Sequence, residues 1–213
     1  VDIQVWSDVV CPWCYLGRRR LESALAAFGE DVTVTYRAFQ LDPSPVPQPK
    51  PLKQVMAEQF GGDERAEQMF AQAAGVGASE GLVLDFDRAL AANTFAAHRL
   101  IAWAAGQERQ ADMLDALQRA HFADGIDVGS RAALAGVAGS IGLDAAAAFA
   151  YLESEAGTGA VEADLTEAGE LGVTSVPYFL VDGKFVIQGA QDSSTLLAAF
   201  EEITRREAVE AGR

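Results

Sequence analysis

Val1, Ile3 and Val5 alternate with polar neighbours at the start of the chain, the period-two pattern of a short strand with one buried face. After a Ser7-Asp8-Val9-Val10 loop, Leu21, Leu25 and Phe28 recur at i, i+4 and i+7, and Gly29 follows. That spacing predicts a helix stopped by the glycine. Pro12 is tolerated in its first turn because the missing N–H would have no partner there. Val32 to Phe39 alternates again in β-branched and aromatic residues and predicts a second strand.

The pattern then changes. Residues 41 to 51 carry five of the seven prolines (Pro43, Pro45, Pro47, Pro49 and Pro51), which predicts neither strand nor helix. From Leu52 to Leu171 the chain is rich in alanine and glycine with apolar residues at helical spacing. It predicts helices over 53–60, 63–74, 94–105, 110–123, 131–141, 144–154 and 160–171, with Asn93 and Ser130 as N-caps. Strand chemistry returns in Pro177–Val181 and Lys184–Ile187. The Asp182-Gly183 pair between them signals a type I′ hairpin. A last helix runs from Ser193 to about Arg206, with Leu196, Leu197, Phe200 and Ile203 on its inner face. The order βαβ, helical block, ββα predicts an α/β domain whose halves, 1–41 and 172–213, form one sheet around an inserted helical domain, 42–171.

Composition narrows the function. The chain has 213 residues, half of them apolar, enough to bury a core without staples. With 16 basic and 31 acidic residues the net charge is −15. The only basic cluster, Arg18-Arg19-Arg20, reads as a solvated helix face and cannot neutralise a run of phosphates, so no nucleic-acid partner is expected. No stretch of about 18 residues lacks charge, so no membrane span is expected either. The opening, with Asp2 and Asp8 around a short alternating run, lacks the basic start and apolar segment of a secretory signal, and the expected setting is cytoplasmic.

The chemistry concentrates in two cysteines, Cys11 and Cys14, which form one C-x-x-C around Pro12 and Trp13. A four-ligand zinc site would need two more thiolates or imidazoles, and the only histidines are the isolated His98 and His121, so no metal is expected. As a staple, so short a loop removes little unfolded-state entropy, about 2 kcal/mol against about 3 for a fifteen-residue loop. The remaining reading is a redox dithiol at a helix head. Lowering a thiol pKa by two units takes about 2.7 kcal/mol, whereas a helix dipole supplies about 0.3–1. Direct N–H···S bonds must supply the rest. Residue 12 has no N–H, so the expected donors are the amides of Trp13 and Cys14. Cys11 is then the exposed nucleophile and Cys14 the buried resolving thiol.

C-P-W-C after a first strand, with Val176-Pro177 directly before a hairpin, resembles the thioredoxin fold, and the helical insertion resembles its DsbA branch. The stretches S7-D-V-V-C-P-W-C-Y-L-G17, N93-T-F-A-A-H-R-L100 and G172-V-T-S-V-P-Y-F-L-V-D-G-K-F-V-I-Q-G-A-Q191 are similar to the FrnE-like group. The resemblance implies a protein-disulfide oxidoreductase that exchanges disulfides without metal or organic cofactor, with glutathione as a redox partner at most. It implies a cis proline at Pro177 beside the cysteines, with Val176 offering its backbone to a substrate strand. The substrate is a thiol or disulfide, in a protein or a small molecule, held in a cleft between the sheet and the helical block. A homodimer is compatible with this. A related branch, the kappa glutathione transferases and 2-hydroxychromene-2-carboxylate isomerases, shares the insertion but typically carries serine where this chain has Cys11 and lacks the second thiol. A third reading is a peptide-binding, chaperone-like module in which the cysteines are incidental.

Other residues have plainer readings. Trp13 either meets substrate or covers the pair. Asp8 caps its loop, or accepts a proton from Cys14 through water. His98, with Phe95 and Ile101 three residues to either side, reads as a satisfied core or interface histidine.

Overall fold

The computed structural model describes residues 1–211, so the last two residues of the expected 172–213 segment lie outside it. The first half of the sheet is β1 (Asp2–Ser7), helix α1 (Pro12–Phe28) and β2 (Thr33–Ala38), with β1 and β2 parallel and Val5 opposite Tyr36. Gly29 ends α1 at φ 72°, its amide donating to Leu25 O. That left-handed conformation is open to glycine at little cost. The second half is β5 (Tyr178–Val181), β6 (Phe185–Gln188) and α9 (Ser193–Ala211). Asp182 and Gly183 both take positive φ, 50° and 66°, as a type I′ turn requires. β5 pairs antiparallel with β1, giving one mixed sheet in the order β2-β1-β5-β6. This is the single sheet expected from the element order, in the thioredoxin-like arrangement that the resemblance implies.

The pleat sorts the strand residues. Ile3, Val5, Phe179 and Val181 share a core with Leu21 of α1 and Leu196 and Phe200 of α9. Trp6, Tyr178 and Leu180 take the opposite face, toward the cysteines.

Between β2 and β5 the chain forms α2 (Leu52–Phe60), α3 (Asp63–Ser79), α4 (Phe95–Ala105), α5 (Gln110–Phe122), α6 (Arg131–Ser140), α7 (Ala145–Glu153) and α8 (Thr158–Glu170). α3 runs five residues beyond the expected end. Ser130 caps α6, as expected. Asn93 supplies the oxygen at the head of α4, accepting from Phe95 N at 3.0 Å, although Thr94 is the flanking residue. The proline-rich segment is a partial exception to its reading: Lys50–Pro51 (β3) pairs with Leu90–Ala91 (β4). Two residues at the end of the run suffice for a minimal ladder, and in a two-stranded edge proline needs no second partner. Helices α4 to α7 share the main core with the sheet through Leu100, Leu117, Leu134 and Leu152. α3 forms a second cluster with Tyr15, Leu16 and Phe122.

Among the described residues no helix is long and apolar enough to cross a membrane. No group of three or more His, Cys, Asp or Glu side chains among them is placed to hold a metal ion.

Candidate active site

Cys11 sits at the head of α1 with an extended backbone (φ −91°, ψ 112°), the conformation of an N-cap residue. Its carbonyl accepts from the amides of Cys14 and Tyr15 at 3.1 and 3.2 Å. Its Sγ accepts from the amide of Cys14 at 3.3 Å. One expected donor is therefore in place. The other, Trp13 N–H, makes no bond to the sulfur, because the cap geometry aims the third amide of the helix, rather than the second, at the Ncap side chain.

The sulfurs are unlinked, and both cysteines are buried, Cys11 at 3% exposure and Cys14 at 1%. Cys11 is thus not the exposed residue expected from the sequence. Trp6, Val173, Val176, Tyr178 and Leu180 pack around the pair. The chain beyond the insertion returns over the helix head and covers it. Pro12 is half-buried in the turn, and Trp13 is the residue on view, at 36% exposure.

Val176–Pro177 is the covering loop, and its peptide bond is cis. The Cys11 thiol faces Val176 O at 3.9 Å. Gly17 lets this loop come close: a Cβ there would lie 2.8 Å from Pro177 Cγ. α1 thus carries the thiol pair in its first turn and the contact for the proline loop one turn later, which follows from helical periodicity.

Burial pushes the Cys14 thiol well above its ordinary value. The hydrogen bond and charge of Cys11 add to this, while the Asp8 amide and the Ser7 hydroxyl pull it back. At neutral pH Cys14 is a thiol. Asp8, buried at 1% exposure, accepts from Val9 N and Leu41 N, both at 2.8 Å, and faces His98 Nε2 at 3.2 Å. It caps its loop, and it does more than cap, since the β2 exit and α4 meet on it. His98 is buried and bonded, as read from its neighbours on the helix.

Arg18 overturns its reading as a solvated residue. At 4% exposure it donates Nε to Gln118 at 3.1 Å, pairs with Glu22 and Asp115, and lies over the Tyr15 ring. Arg18 to Arg20 span about 200° of the helix circumference at about 100° per residue, and Arg18 takes the side that meets Gln118 and Asp115 of α5. His121 is buried with both ring nitrogens unpartnered. Burial lowers its pKa to about 4, keeping the ring neutral.

A cavity of about 310 Å³ lies between β2, α4 and α8, lined by Thr35, Ile101, Ala105 and Asp164 among others and reaching Ser7 and His98. Neither cysteine lines it. It lies between sheet and helical block, where the sequence placed a cleft, but not over the sulfurs.

Comparison with known proteins agrees with the fold. The pattern of the DSBA-like thioredoxin domain matches residues 2–201. A probable DsbA oxidoreductase from Streptomyces coelicolor is 34% identical, with a TM-score of 0.89 over 94% of this chain and 88% of that one. A 2-hydroxychromene-2-carboxylate isomerase shares the fold at 18% identity, with a TM-score of 0.72 over 98% of each chain. So does the cytosolic disulfide reductase DsbM from Pseudomonas aeruginosa, solved with GSH, at 21% identity and a TM-score of 0.63 over 97% of this chain and all of that one. Among curated proteins, the uncharacterized YwbO of Bacillus subtilis (strain 168) is 46% identical over 52 residues, which make up 24% of this chain and 25% of that protein. A 34% identical relative covered almost throughout and a family pattern spanning nearly the whole chain agree: the protein belongs to the DsbA-like thioredoxin domain family.

Proposed function

We propose that the protein is a thiol–disulfide oxidoreductase in which Cys11 is the attacking and attacked sulfur and Cys14 the resolving one. In the oxidising direction a substrate thiolate attacks Cys11 Sγ of the Cys11–Cys14 disulfide. A substrate–Cys11 mixed disulfide forms, and Cys14 leaves as a thiolate and takes up a proton. A second substrate thiolate then attacks the substrate sulfur of the mixed disulfide. The substrate departs oxidised by two electrons, and Cys11 departs as a thiolate. Reduction runs the same steps backward.

The observation that carries this reading is the position of Cys11 Sγ at the head of α1, on the Cys14 amide at 3.3 Å and across from Val176 O at 3.9 Å. The free helix-head amides favour negative charge there. Trp13 and the backbone of Val176 are the surfaces an incoming chain meets, and Pro177 holds that backbone in place. Glutathione suits the small-thiol role, since DsbM, of the same fold, is solved with it.

The test is insulin reduction and ribonuclease reoxidation with the wild type, Cys11→Ala and Cys14→Ala. Loss of turnover in both variants is expected. Turnover indifferent to both would favour a binding module. Glutathione-dependent isomerisation without dithiol exchange would favour the isomerase branch.

A further inference from the structure

The segment Asn93 to Arg99 stood out in the sequence, yet no step of the exchange uses it. In the structure it forms the head of α4 and ties together three distant parts of the chain. Asn93 Nδ2 donates to Pro43 O and Ser44 O at 2.8 and 3.2 Å. Arg99 donates to the carbonyls of Tyr151, Leu152, Ser154 and Ala156 around the end of α7. Between them His98, 4% exposed, places Nε2 3.2 Å from Asp8 Oδ1 and 2.9 Å from Phe39 O. Both neighbours are acceptors, so Nε2 carries the hydrogen. With the amides of Val9 and Leu41 also donating, the Asp8 carboxylate has three N–H donors, which meets the requirement of a buried acceptor.

Asp8 is also the residue that touches both halves of the thiol pair through its main chain. Its carbonyl accepts from Cys11 N at 3.3 Å. Hydrogen bonding from its backbone is the foremost of the influences that favour the thiolate at Cys14. A leaving thiolate departs faster the better it is stabilised, and in so apolar a setting an amide aimed at it counts for more than in water. We propose that His98 is a positioning residue for disulfide exchange: by donating Nε2–H to the Asp8 carboxylate, it holds the Asp8 amide on Cys14 as that sulfur leaves.

This role rests on the exchange reading above and predicts an asymmetry between half-reactions. Cys14 is the leaving group when reduced glutathione opens the Cys11–Cys14 disulfide. It is not the leaving group when Cys11 of the dithiol first attacks glutathione disulfide. His98→Leu is expected to slow the first half-reaction about tenfold and leave the second within about twofold. His98→Gln, whose amide N–H falls near the place of Nε2, should restore the first to within about threefold. His98→Asn, a methylene shorter, should remain slow.

Rapid-mixing kinetics with these two glutathione forms measure both steps. If His98→Leu fails to fold, the contrast between Gln and Asn decides alone. The proposal is overturned by equal slowing of both half-reactions, by a Gln variant as slow as Asn, or by variants that match the wild type. A wild type inert to both glutathione forms would overturn the exchange reading itself. An active wild type with indifferent variants would overturn only the role of His98.

Discussion

Helices α1 and α7 begin in the same way with different atoms. At the head of α7, the exposed Asp144 (φ −70°, ψ 104°) accepts from the amides of Ala146 and Ala147 at 2.9 and 3.0 Å. At the head of α1, the buried Cys11 (φ −91°, ψ 112°) accepts one amide, at 3.3 Å. The backbone task is the same, and oxygen does it better: an aspartate cap contributes about 1 kcal/mol, whereas sulfur is a weak acceptor. Stability alone would give position 11 to oxygen. The proposed exchange gives the sulfur a different reason to stand there, with the Cys14 amide 3.3 Å from it. The surroundings differ accordingly, since the α7 cap faces water and the α1 cap faces Trp6, Val173 and the Val176–Pro177 loop.

The largest effect expected from breaking this contrast follows Cys11→Ser. Oxygen keeps the cap and removes the nucleophile, so exchange should fall by at least about a thousandfold while stability in urea stays within about 1 kcal/mol. A variant that unfolds would show that the sulfur is structural.

The next effect concerns acid. His121 sits among buried groups near Asp8, and burial sets its pKa at about 4 against an ordinary 6.5. Well above pH 6.5 the ring is neutral in both states and makes no pH-dependent contribution. As pH falls toward 4, the unfolded chain binds a proton that the folded one refuses, so stability drops, by about 3 kcal/mol at most. Urea midpoints at pH 7 and 4.5 should therefore separate more for the wild type than for His121→Leu.

Gly17→Ala should follow in size. The added Cβ would meet Pro177 Cγ at 2.8 Å. Such overpacking costs about 1–3 kcal/mol, and displacing the loop over Cys11 should slow exchange about tenfold or more. The smallest effect belongs to the reference cap: Asp144→Ala should cost about 1 kcal/mol and leave exchange unchanged.

The parts legible in the sequence are those fixed by local chemistry. Pro12 and Gly29 bracket α1, and Asp182-Gly183 turns the last hairpin, because each answers a backbone requirement that few other residues meet. The thiol pair was legible for the same reason. What escaped was set by distant packing. Whether Cys11 is covered depends on Val176, far along the chain, and whether Arg18 is buried depends on Gln118 and Asp115 of α5. The meeting of Asp8 and His98 joins residues 90 positions apart.

The division of labour between the two sulfurs is tested most directly by trapping. Cys14→Ser, incubated with glutathione disulfide, should accumulate a stable mixed disulfide that peptide mass spectrometry places on Cys11, while Cys11→Ser takes up almost none. The reverse pattern, with glutathione held by Cys14 and refused by Cys11, would contradict the account.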